Sequence, residues 1–142
     1  MSGFFDTWKN FMILAPPPAA GTPFHQEASG PWRTVTYRDG AARVEVTLDA
    51  NFEASEVKVT SQAFTSSVLP TFARTPKGFV LVGYRATYRT AQDAEATDLD
   101  VNIQNQEIDG CTLPRVLDLR GSYGGTPFHI LVTFENGQVA KF

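Results

Sequence analysis

Thiol and imidazole chemistry have little to work with in this chain, which holds one cysteine, Cys111, and two histidines, His25 and His129, in 142 residues. A lone cysteine excludes an intramolecular disulfide and any metal site built from cysteine alone. A hydrolytic triad needs a nucleophile, a base and an orienting group, and only the two histidines could serve as the imidazole base. His25 falls in a proline-rich stretch. His129 falls on the polar side of an alternating segment, the ordinary place for a surface side chain. Cys111 follows the Asp109-Gly110 pair directly and is expected to be buried beside that turn, since free cysteine is among the most buried residue types. Positive charge is also scarce: 12 Lys and Arg stand against 15 Asp and Glu, a net charge of −3. Nucleic-acid binding needs a basic face that neutralises phosphate, so nucleic acid is not an expected partner. Long apolar runs are missing, and no window reaches the ~18–20 residues of a membrane span.

Other cofactor signatures fail on detail. The acidic stretch Asp93, Glu95, Asp98 and Asp100 offers oxygen ligands at close spacing, but lacks the glycine and terminal glutamate of a calcium loop. A solvated turn region accounts for it. Gly121, Gly124 and Gly125 lie between two strand-like segments rather than ahead of a helix, so they read as turn chemistry and not as a phosphate loop. The expectation is a protein that is not an enzyme and takes no metal and no cofactor.

Aromatic residues are what the chain does have, with eleven Phe, four Tyr and two Trp. Four of these aromatics, with Met12, cluster at the start. Phe4, Phe5, Trp8, Phe11 and Met12 recur at helical spacing, with Asp6, Lys9 and Asn10 opposite. This predicts one short amphipathic helix within residues 1–15, N-capped by Ser2 and stopped by Pro16-Pro17-Pro18. Residues 16–31 read as an extended, proline-rich connector. The first residues lack the basic start and cleavage pattern of a signal peptide. A chain complete from Met1 is therefore expected in the cytoplasm, and a fragment of an exported protein in the periplasm or envelope.

From Trp32 the apolar period changes to two, and residues 32–142 read as one antiparallel β domain. Strands are predicted over 32–38, 42–49, 55–62, 79–90, 98–108, 111–120, 127–134 and 138–142. Asp39-Gly40, Asp109-Gly110 and Asn136-Gly137 mark tight hairpins. Residues 63–78, with Ser, Thr and two prolines, read as loop. Short turns without crossover-length helices mean a meander. Most strands are dry on one face only, so the fold class is mainly β: a curved sheet or half-open barrel, covered by the N-terminal helix. The expected core is Val44, Val46, Leu48, Val82, Tyr84, Val101, Ile103, Leu117, Ile130 and Val132.

Three stretches together resemble a known family. They are Pro70-Thr71-Phe72 with Thr75-Pro76-Lys77-Gly78-Phe79-Val80-Leu81, then Gln106 to Pro114 (QEIDGCTLP), then Gly125-Thr126-Pro127-Phe128-His129-Ile130 running to Phe142. Their order is similar to that in the C-terminal part of outer-membrane lipoprotein-sorting proteins, the LolA-like carriers, over about residues 70–142. The resemblance implies a half-open β-barrel whose apolar concave face, capped by helices, holds a lipid or acyl chain. No ligand motif of that family maps residue by residue onto this chain. The residues expected to line an apolar cup are Phe4, Trp8 and Phe11 from the helix, with Tyr84, Tyr88 and Phe128 from the sheet. Expected partners are thus a hydrophobic small molecule or lipid, or a second copy of the chain in a homo-oligomer meeting through an exposed sheet face or edge.

Overall fold

A computed structural model of the chain describes residues 20–90, 92 and 95–135. They form nine strands: β1 (Phe24–Ser29), β2 (Trp32–Asp39), β3 (Ala42–Leu48), β4 (Ala54–Thr60), β5 (Phe64–Thr75), β6 (Gly78–Thr90), β7 (Thr97–Ile108), β8 (Cys111–Tyr123) and β9 (Thr126–Thr133). The helix expected within 1–15 and the hairpin expected at Asn136-Gly137 lie outside the described residues. The chain divides into two compact units, residues 1–68 and 69–142, with the division falling inside β5.

In the first unit the strand order is β1-β2-β3-β4-β5, and the printed pairings are all antiparallel. Register places Phe24, Tyr37, Val44 and Val59 in one cross-strand row and Val35, Val46, Val57 and Val68 in the next. Tyr37, Val44 and Val57 form the buried cluster, with Val35, Val46 and Val59 packed on it. Because side chains alternate across a strand, the opposite face carries His25, Thr36, Glu45, Lys58 and Ser67 in a single row. Two connections order this unit. Gly40 has φ 58° and opens the two-residue Gly40-Ala41 turn between Asp39 and Ala42, one residue later than the expected Asp39-Gly40. Between β3 and β4, Asp49 Oδ1 accepts N–H bonds from Asn51 and Glu53. The Phe52 N–H donates to the Asp49 carbonyl, and Phe52 takes a left-handed φ of 62°.

In the second unit the order is β5-β6-β7-β8-β9. Three apolar rows cross it: Ile103, Leu117 and Val132; then Tyr84, Val101, Leu119 and Ile130; then Ala86, Leu99, Gly121 and Phe128. Leu117, Leu119 and Val101 are the most deeply buried side chains. Asp109 and Gly110 both have positive φ, 51° and 79°, the primed turn that Asp-Gly foretells.

The mainly β, antiparallel meander is therefore present in each unit, and three details of the sequence reading change. Residues 24–29, inside the expected connector, form β1 and pair residue by residue with β2. Residues 64–75 are a 12-residue strand rather than loop. Pro70 is tolerated there because the register with β4 ends at Val68, so its missing N–H removes no bond to that strand. Cys111 is exposed, not buried. It is the first residue after the turn and pairs with Ile108 at the tip of the β7–β8 hairpin, on the side opposite the apolar rows.

Nine of the ten expected core residues are buried or half-buried. Ile130 is the exception at 50% exposure, because β9 has β8 on one side and no described strand on the other. Tyr37, Val57, Val68 and Leu119 join the core in addition.

Candidate functional site

The apolar face of the second unit opens into a trough of about 390 Å³ near the β5–β6 and β7–β8 turns. Its floor is Val80, Val82 and Ile103, and Ala73 borders it from β5. Alternation puts Val80 and Val82 on the same side of β6 as Tyr84. Thr75, Lys77, Asn105, Glu107 and Thr112 supply its polar groups. Thr112 is the register partner of Glu107, and the Lys77 ammonium pairs with the Glu107 carboxylate across the trough mouth. Asn105 sits further in, where its Nδ2 donates to the Leu81 carbonyl at 2.9 Å. A bulge between Gln104 and Asn105 adds one residue on β8 and keeps Asn105 and Pro114 opposite each other.

Local sequence fixes this mouth. Pro76 presets the backbone of the Pro76-Lys77 turn. The Thr75 hydroxyl accepts the Lys77 N–H at 3.2 Å and donates to the Gly78 carbonyl at 2.9 Å. Arg74 lies 5.2 Å from the centre of the Phe79 ring, a cation–π contact beside the same turn.

The sheet residues expected to line an apolar cup, Tyr84, Tyr88 and Phe128, all fall on this apolar face by register. They differ in access. Tyr84 is fully packed among core residues, Phe128 is half-buried and Tyr88 is exposed. Burial pushes the Tyr84 phenol up to about 12. Tyr37 in the first unit is raised as well, first by burial and then by Asp39. The remaining expected residues, Phe4, Trp8 and Phe11, lie outside the described residues. Lys77, Glu107 and Thr112 were not singled out from sequence. Alternation along β7 puts Glu107 on the Ile103 side, and the bulge on β8 brings Thr112 to that side as well.

The opposite face of the second unit carries a charged ladder. Arg85, Asp100, Arg120 and His129 are cross-strand partners in one row. Asp118 receives both nitrogens of the Arg120 fork, and His129 Nε2 lies 2.6 Å from its Oδ1. The Arg120 hydrogen bond, aided by His129, holds the Asp118 carboxyl below the usual carboxylate range. This is exposed ion pairing on a wet sheet face, where each pair contributes little. Among the described residues, His129 meets a carboxylate rather than a hydroxyl or thiol that it could activate. Nor do the described residues bring together three His, Cys, Asp or Glu side chains able to hold a metal ion. An open depression of about 680 Å³ in the first unit is lined mainly by polar-face side chains, among them His25, Glu27, Arg38 and Arg43. His25 and Glu27 pair within it, as do Arg43 and Glu45.

Among the described residues, no helix is long and apolar enough to cross a membrane. Each unit is thus an antiparallel sheet with one dry and one polar face. Comparison of the chain with protein-family models, curated proteins and solved structures returned no match.

Proposed function

We propose that this chain is a non-enzymatic module that binds a hydrophobic ligand, a lipid or acyl chain, against the apolar face of a curved, half-open β-sheet. The observation that carries the reading is the trough whose floor is Val80, Val82 and Ile103, with Lys77 and Glu107 at its mouth. Such a surface matches an amphiphile better than a polar substrate, because ligand sites are mostly apolar with a few placed polar groups. The resemblance of residues 70–142 to lipoprotein-sorting proteins supports the same ligand class. Native mass spectrometry and thermal shift against single-chain lipids test it. A 1:1 complex with a raised melting temperature is the expected result, since a ligand that binds only the folded state stabilises it. A panel of lipids that leaves both mass and melting temperature unchanged rules the reading out.

The second reading is a module that acts through its sheet edge or face, in its simplest form a homo-oligomer. It is favoured by β9, where Ile130 and Leu131 are 50% and 64% exposed on opposite faces of one strand. Sedimentation equilibrium separates the two: a strict monomer over the micromolar range removes the homo-oligomer.

A further inference from the structure

We infer that the Lys77–Glu107 pair at the trough mouth reads a zwitterionic head on a single-chain amphiphile, with a phosphate on Lys77 and an ammonium on Glu107. The inference rests on the hydrophobic-ligand reading above and adds the chemistry of the head.

The mouth combines opposite charges in one place. Lys77 stands in the β5–β6 turn and Glu107 near the end of β7, and their side chains meet there while remaining 59% and 60% exposed. Lys77 has three N–H donors and a carboxylate has about four lone-pair positions, so the single contact between them among the described residues leaves both groups with capacity for a ligand. A head bearing only an anion would be attracted by Lys77 and repelled by Glu107. A head bearing only a cation meets the reverse. A head carrying both charges satisfies the two groups together.

The two groups are also held on constrained backbone. The Thr75 and Pro76 turn fixes where Lys77 leaves the chain. Glu107 is paired in register with Thr112, two residues from the Asp109-Gly110 turn. Preorganised groups bind with less ordering cost than mobile ones. The trough volume of about 390 Å³ lies near the lower end of the range of roughly 300–1,000 Å³ for small-molecule sites, which suits one chain rather than two.

Isothermal titration calorimetry reads binding without a label. Titrations would use lysophosphatidylethanolamine, lysophosphatidic acid and an alkylamine of equal chain length, each below its micellar concentration. In the parent protein, lysophosphatidylethanolamine is expected to bind about tenfold tighter than either single-charge ligand, the equivalent of about 1.4 kcal/mol. Lys77→Gln should weaken lysophosphatidylethanolamine and strengthen the alkylamine. Glu107→Gln should strengthen lysophosphatidic acid. These gains cannot come from a damaged fold, which would weaken every ligand. Equal affinities for all three heads, unchanged by both substitutions, would overturn the head-group inference while leaving the hydrophobic-ligand reading intact. No binding of any of the three would remove both.

Discussion

Residues 20–68 and residues 69–135 follow one plan, an antiparallel meander with a dry face and a wet face, but they differ in what the dry face holds. In the first unit, strands of 6–8 residues bring together valines around Tyr37. In the second, three strands of 12 and 13 residues, β6 to β8, with the 8-residue β9 beside them, stack leucine, isoleucine and valine in successive cross-strand rows around Tyr84. Leu119 is 1% exposed, whereas Val44, central in the first unit, is 7% exposed. Longer strands give each apolar side chain neighbours above and below it as well as across. That is how a sheet surface reaches core-like burial. The wet faces differ in parallel: hydroxyls and scattered pairs in the first unit, a continuous charged ladder in the second.

The sharpest break of this comparison is to truncate both cores. Leu119→Ala should cost about 3–4 kcal/mol, the range for a well-packed leucine that leaves a cavity. Val44→Ala should cost roughly 1.5–2 kcal/mol for the carbons it removes. Urea denaturation of the two variants compares them directly, and equal losses would erase the distinction. The two buried tyrosines provide the next test. The Tyr84 phenol, at about 12, lies above its ordinary value of 10, so the neutral form is the one the fold favours. Its contribution is fully present below pH 10 and is lost as pH rises through about 12, and it amounts to about 3 kcal/mol. Tyr37 is raised in the same direction without reaching that extent. Alkaline unfolding of Tyr84→Phe should therefore shift to higher pH, and by more than that of Tyr37→Phe.

A close backbone approach gives the third effect. A Cβ on Gly121 would lie 2.0 Å from the Asp98 carbonyl oxygen and 3.0 Å from the Phe128 ring, so backbone must move to admit it. Gly121→Ala should cost about 1–3 kcal/mol, as overpacked sites do. Chemical denaturation within 0.5 kcal/mol of the parent, a surface-like effect, would show that the strand yields freely. The smallest effect belongs to the first unit. Phe52 sits at φ 62° in a loop held by Asp49, with Arg33 5.6 Å from its ring centre. Asparagine tolerates that conformation better than phenylalanine, but it forfeits the cation–π contact, worth ~0.5–1 kcal/mol when exposed. Phe52→Asn should leave stability within about 0.5 kcal/mol of the parent in the same denaturation measurement.

Much of this was legible in the alternation of residues 42–49, 79–90 and 98–108, because a half-buried strand writes its two faces into its sequence. Asp109-Gly110 announced its turn through the one residue pair suited to two successive positive φ values. Other features had no local signal. Residues 24–29 alternate poorly and form β1 only because β2 offers them a partner. Pro70 hid β5, since the cost of a proline depends on which side of the strand needs a donor. Phe52 takes its left-handed φ in a loop held by Asp49, with no local signal of its own. The trough mouth needed three things that sequence does not state: the bulge at Gln104, the position of the Pro76-Lys77 turn, and the meeting of side chains 30 residues apart.

Hydrogen–deuterium exchange with and without lysophosphatidylethanolamine asks most directly whether the apolar face of the second unit binds a ligand. Slower exchange confined to residues 73–82 and 103–112, with 24–60 unchanged, is the predicted result. Unchanged exchange across 73–82 and 103–112, or protection that appears only within 24–60, would contradict it.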